Sequence, residues 1–283
     1  MTRPRATVCI AYHYDAVSTW LWVYDSWNAP TRHSRGLFGV VEGTPRLLDL
    51  HDRHDIPSTW HIPGHTVESF PESCGEIHDR GHDVEHHGWT HQRFAGQDDY
   101  EAERADFERG VDAIYDLTGR KPTGYSSTAW EFSEHTLDIL LDLGFEWDSS
   151  QMASDFNPYY VRRGWEAPAD GPYEWGEETD LVELPVSWQR DDWPPFTFTW
   201  ANPHMMAFVD EDSVFRKWRD AFDWMYDNVD GGVFVLTLHP QIIGQAHRLS
   251  RLDDLFGHMR SKPDVEFATG EEAATAWREA NPR

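Results

Sequence analysis

Lysine is almost missing from this chain of 283 residues: of 24 basic side chains, only Lys121, Lys217 and Lys262 are lysines, and the rest are arginine. Basic charge as a whole is scarce. The 24 Lys+Arg face 50 Asp+Glu, a formal net charge of −26 with histidine neutral. A field that negative repels phosphate backbones and anionic headgroups, so nucleic-acid and membrane partners are not expected. Two origins of the imbalance stay open. One is a GC-rich genome that favours arginine codons. The other is a molar-salt cytoplasm, where dense carboxylates keep a halophilic protein hydrated while salt screens their repulsion. Cysteine is scarce too. Cys9 and Cys74 cannot build a disulfide framework. No apolar stretch precedes the first short strand, and no run approaches the ~20 apolar residues of a membrane span. A soluble, cytoplasmic chain without a standard secretion signal is expected. What the chain has in plenty is aromatic: 14% of residues, with 15 Trp, enough for a real core.

Strand-like and helix-like segments alternate. Thr7–Asp15 reads as a strand, with Val8, Ile10, Tyr12 and Tyr14 on one face and Cys9, Ala11, His13 and Asp15 on the other. Thr44-Pro45 opens a helix to about His54. Further strands are expected at 58–62, 83–86, 123–126, 146–148, 181–185, 232–239 and 265–268. Helices are expected at 71–80, 98–118, 133–144 and 213–228. Seven or eight βα units imply an α/β fold with a parallel sheet, and the length suits one barrel domain over residues 1–283. Two long stretches interrupt the alternation, Trp-rich 18–39 and loop-like 150–179, both of a length that functional lids and binding loops have.

Three constellations carry chemistry. His87-Gly88-Trp89-Thr90-His91 sets two imidazoles four residues apart, metal-ligand spacing on a helical turn, just after a strand. His13-Tyr14-Asp15 ends the first strand, and residues two apart on a strand point the same way. One carboxylate plus two imidazoles is a three-ligand set that leaves a position open for water, as catalytic zinc sites do. Leu238-His239-Pro240 puts a histidine where a strand gives way to a loop, a place that suits a general acid. Asp191 or Asp192 is a candidate partner for that imidazole. Trp20, Trp22, Trp27, Trp188, Trp193 and Trp200 lie in or near the long loops, either packing them or stacking on a sugar.

Taken in order, these residues resemble the polysaccharide deacetylase family, most of all its signal-less branch, which includes a cytosolic peptidoglycan deacetylase and related ring-opening amidohydrolases such as the metal-independent allantoinases. The resemblance runs through Tyr14-Asp15-Ala16-Val17-Ser18, Ser34-Arg35-Gly36-Leu37-Phe38-Gly39, Pro63-Gly64-His65 and His87 to His91. It continues through Trp130-Glu131-Phe132-Ser133, Trp147-Asp148-Ser149-Ser150, Leu181-Val182-Glu183-Leu184-Pro185 and Leu238-His239-Pro240. It implies a distorted (β/α) barrel of about seven parallel strands and a hydrolase of amide C–N bonds other than peptide bonds. It implies one divalent metal ion, zinc first, held by Asp15, His87 and His91. His239 would be the general acid, and the backbone around Tyr125–Thr128 would help hold the oxyanion. Trp130 and Glu131, with Tyr125, would contact the substrate, a saccharide or small molecule, and the branch suggests a homo-oligomer.

Two departures stand out. The family's catalytic base is an aspartate, and that position here is His13. The arginine that often orients that base has no counterpart in Gly124-Tyr125-Ser126-Ser127-Thr128. His13 is then a base in its own right, a fourth metal ligand, or a sign of a catalytically silent relative that binds a carbohydrate or metabolite. As base or acid, His13 and His239 are the candidate catalytic residues.

Overall fold

The computed structural model describes residues 3–199 and 205–283. Its sheet is built on β1 (Ala6–His13), whose side chains are nearly all buried. A strand covered on both faces needs no polar side, and this one is flanked by other strands along both edges. The remaining strands are β2 (Thr59–Ile62), β3 (Asp83–His86), β4 (Gly124–Tyr125), β5 (Trp147–Asp148), β6 (Tyr159–Arg163), β7 (Glu177–Glu183), β8 (Phe198–Thr199), β9 (Met205–Met206), β10 (Gly232–Leu238) and β11 (Val265–Phe267). The main sheet runs β10-β1-β2-β3-β4-β5-β7-β6, with β11 also on β1 and β8-β9 a separate short pair. From β10 round to β7 the pairing is parallel; β6 alone is antiparallel, on β7. The expected distorted barrel of about seven parallel strands is the fold observed.

Alternation along β1 divides two cores. Val8, Ile10 and Tyr12 point outward with Phe234, Leu236 and Leu238 into the layer beneath the helices. Cys9 and Ala11 point inward with Val233, Val235, Trp147, Val182 and Leu184. Small residues on the first strand leave room for the Trp147 indole. The closing helix Gly270–Ala280 plugs the barrel floor through Ala273 and Ala274. A Cβ on Gly270 would sit 2.4 Å from Trp147, so only glycine lets that helix approach. The seam between the sheet's two edges is sealed without a full strand. Asp191 bridges to Thr237, and the Val233 amide donates to the Phe156 carbonyl. The buried Arg190 guanidinium donates to the carbonyls of Val235, Pro185 and Asp155 across the gap.

Several local expectations change. The 150–179 stretch holds β6, whose Tyr-Tyr-Val-Arg-Arg run is short but β-favourable. The helix 44–54 is not freshly opened by Thr44, because helix Pro30–Phe38 continues into it through a π-turn at Gly39–Gly43. Helix Tyr100–Thr118 is capped by Asp99, and helix Ala246–Arg260 stands where patterning assigns no element. No helix among the described residues is long and apolar enough to cross a membrane.

Candidate active site

Every parallel strand from β10 to β7 delivers its C-terminal end to the same mouth, where barrel chemistry is carried by the βα loops. β1 ends at His13. Two residues on, past the end of the strand, Asp15 turns in, followed by Ala16 in a left-handed conformation (φ 49°). After β3 the chain does not form the expected helical turn. His87 to His91 is a bend, in which Gly88 (φ 73°) and His91 (φ 60°) both take positive φ. The two imidazoles therefore meet by loop geometry, their ring centroids 5.1 Å apart.

Asp15, His87 and His91 converge as expected. His87 Nε2 lies 3.5 Å from Asp15 Oδ1, and His91 Nε2 lies 3.8 Å from Asp15 Oδ2. All three side chains are buried. Both Asp15 oxygens and His87 Nε2 lack any hydrogen-bond partner. Buried polar atoms without partners are costly, so bare donors facing one another fit a cation. A tetrahedral ion with bonds near 2.1 Å sets its ligands roughly 3.4 Å apart, close to the spacing observed. The Nδ1–H of His87 donates to the Ser126 carbonyl at 2.5 Å, which leaves Nε2 with the lone pair a metal takes. Burial first, then the neighbouring imidazoles, holds His87 well below its ordinary pKa and keeps it neutral.

His13 lies beside this set but not in it. Its ring centroid is 4.3 Å from that of His87 and 5.3 Å from that of His239. It joins none of the candidate metal clusters among the described residues. Its Nε2 contacts the Ser126 hydroxyl at 3.0 Å, and burial followed by the His87 and His239 charges pushes its pKa well down.

His239 is held in the opposite charge state. Its Nδ1–H donates to Asp192 Oδ1 at 2.7 Å, and its backbone N–H donates to Asp192 Oδ2 at 3.1 Å. Burial disfavours the imidazolium. The Asp192 hydrogen bond and the charges of Asp192, Asp191 and Asp15 outweigh it and lift the pKa to about 9. Nε2 faces Asp15 Oδ2 at 4.0 Å. Of the two candidate partners, Asp192 is thus the bonded one; Asp191 accepts from the Trp193 amide and lies 3.8 Å from the imidazole.

These groups open on a cavity of about 260 Å³ lined by His13, Asp15, His91, Asp191 and His239 on its polar side. Thr19, Val23, Ala129, Trp130, Trp188, Trp193 and Pro194 wall the rest, so of the two long stretches 18–39 contributes through Thr19 and Val23, and 150–179 does not line the cavity. Trp188 packs on Trp130 at 4.6 Å, and Trp193 packs on His239 at 4.9 Å. Trp20 is buried against Tyr24, whereas Trp22 and Trp27 pair on the surface; Trp200 lies outside the described residues.

Three groups expected at the substrate sit elsewhere in the described structure. Tyr125 is absent from the cavity wall and sits in an aromatic cluster with His86, Phe107 and Phe145, because it faces the helix layer. Glu131 is exposed and paired with Arg93, and it does not line the cavity. The backbone around Tyr125–Thr128 is largely spent: the Ser126 amide donates to His86 and the Ser127 amide to the Ser150 hydroxyl. Sequence reasoning placed Ser126 only in the oxyanion backbone and missed its contacts with His13 and His87, since nothing in a Ser-Ser pair signals them.

A buried carboxylate with two imidazoles, a charged histidine opposite and a small cavity between them at the barrel mouth fit a hydrolytic α/β-barrel enzyme. A polysaccharide deacetylase family model matches residues 35–147. The peptidoglycan deacetylase of Helicobacter pylori is 38% identical, over 98% of this chain and 98% of its own. A Gibberella zeae peptidoglycan deacetylase-like protein is 29% identical over 96% of this chain and 86% of its own. A Mycobacterium smegmatis crystal structure described as a polysaccharide deacetylase superposes with a TM-score of 0.87 at 31% identity, covering 99% of this chain and 92% of the other. The chain belongs to the polysaccharide deacetylase family and is a hydrolase acting on carbon–nitrogen bonds other than peptide bonds.

Proposed function

We propose that this protein removes acetyl groups from N-acetylated amino sugars in a metal-dependent reaction. One observation carries the reading: the unpartnered Asp15 oxygens and His87 Nε2 converge with His91 in one buried cluster, opposite a charged His239. A divalent ion held by those three would supply Lewis acidity, polarising the amide carbonyl and making water easier to deprotonate. The chain's own residues supply the proton movements. His13, neutral by burial, takes the proton of the attacking water. His239 carries its proton on Nε2 into the cavity and gives it to the departing nitrogen, while Asp192 holds the ring and its charge. Trp130, Trp188 and Trp193 exclude water and offer flat apolar faces to a sugar ring. A cavity of about 260 Å³ is below the usual range for drug-sized ligands, which favours one sugar unit with its acyl group as the buried part.

The test is amine release from N-acetylglucosamine and its short oligomers, with a cyclic ureide as contrast. Release from the acetamido sugars, abolished by chelation and restored by zinc, manganese or cobalt, supports the reading. Ring opening of the ureide without release from the sugars moves the substrate to cyclic amides. Neither activity, with metal bound, leaves the silent-relative reading.

A further inference from the structure

Among the described residues, Ser126 touches both halves of the site. Its backbone carbonyl accepts from His87 Nδ1–H. Its side-chain oxygen lies 2.8 Å from the Ser149 carbonyl and 3.0 Å from His13 Nε2. A carbonyl only accepts, and two oxygens at 2.8 Å need a proton between them, so the single hydroxyl proton points at Ser149. The hydroxyl oxygen is then left to accept, and Nε2 of His13 must bring its own proton. A neutral imidazole has one proton, so the lone pair of the ring falls on Nδ1.

We propose that Ser126 is a positioning residue for His13: its hydroxyl locks the Nε2–H tautomer and so makes Nδ1 the basic atom of a ring that lines the cavity. The inference rests on the reading of His13 as base. It accounts for how a histidine can stand where no arginine is available to orient the base: a hydroxyl anchored on Ser149 orients an imidazole, with no charge required. It also divides Ser126 into two functions. The bond to His87 is made by the main chain and survives any side-chain change, whereas the bond to His13 is made by the hydroxyl alone.

Ser126→Ala therefore separates the two. Bound zinc is expected to equal that of the parent, KM to stay unchanged, and kcat to fall about 10–100-fold, the scale seen when the partner orienting a functional histidine is removed. Ser126→Thr keeps a hydroxyl and is expected to recover most of the rate. An independent readout is the ¹⁵N spectrum of histidine-labelled protein as purified, with the His13 signals assigned by their loss in His13→Asn. The expected pattern is a protonated Nε2 and a bare Nδ1 in the parent, and a mixture of tautomers in Ser126→Ala. An Nδ1–H tautomer in the parent overturns the proposal. So does an unmoved kcat in Ser126→Ala, or a kcat lost together with zinc. If the parent releases no amine at all, the proposed function falls, and the tautomer is still decided by the spectrum.

Discussion

His239 and His13 are neighbouring imidazoles held in opposite charge states, and carboxylates make the difference. His239 meets Asp192, Asp191 and Asp15, which together overcome the cost of burial; His13 meets a hydroxyl and other imidazoles, and burial decides. The raised pKa of His239, about 9 against an ordinary 6.5, means its pairing stabilises the fold fully below pH about 6.5. That contribution is lost as pH climbs through about 9. The same titration removes the acid, so activity should fall on the alkaline side near there. Asp192→Asn deletes the bonded carboxylate. The alkaline limb of kcat/KM should then move down by roughly one to three pH units. A limb that stays in place assigns that ionisation to some other group. For His13, the expectation is a loss of about 10²–10⁴-fold in kcat for His13→Ala with metal content intact, the usual worth of a general base. His13→Asp, which restores a carboxylate base, should recover part of the rate. Metal lost from His13→Ala would make the residue a ligand, and an unimpaired variant would remove it from the chemistry.

The loop after β3 shows how an element's backbone sets ligand geometry. Gly88 holds φ at 73°, and a Cβ there would come within 3.2 Å of Asp106 Oδ2, the atom that accepts from the Trp89 amide. Gly88→Ala thus combines an unfavourable left-handed residue with a crowded anchor, about 1–2 kcal/mol of strain by the first effect alone. Because the bend is what brings His91 round to Asp15, part of that strain should appear as weaker zinc binding, read by isothermal titration, and part as a lower melting temperature. Zinc affinity equal to that of the parent would show that His87 and His91 reach the ion without this turn. Positive φ at Ala16, His91, Ala129 and Trp130 follows the same pattern. Three of these, His91, Ala129 and Trp130, line the cavity, where packing can hold a strained residue in place.

On the scale of the whole molecule, the charge of −26 is a force as well as a composition. Much of it has no basic partner nearby, because 50 carboxylates share 24 cations. Raising salt from ~0.1 M to molar shortens the Debye length from about 10 Å to about 3 Å and should raise the melting temperature. A melting temperature that is flat or falls over that range would leave codon bias as the reason for the missing lysines.

The barrel was legible because alternation of buried strands with amphipathic helices has few other solutions, and β1 shows both of its faces in its own sequence. The convergence of Asp15, His87 and His91 was legible for a chemical reason: a carboxylate and an imidazole pair at strand ends have few other uses. Local signals misled where contacts span the chain. The His87–His91 spacing suggested a helical turn, but a bend made the convergence. The sequence placed Tyr125 and Glu131 at the substrate, yet one faces the helix layer and the other an arginine in solvent. Sequence alone determined which groups could bind a metal and carry protons. Only the tertiary structure decided which carboxylate charges His239, and which hydroxyl meets His13. Asp192 and His239 are 47 residues apart, Ser126 and His13 are 113 apart, and a hydrogen bond across such a distance exists only once the barrel has closed.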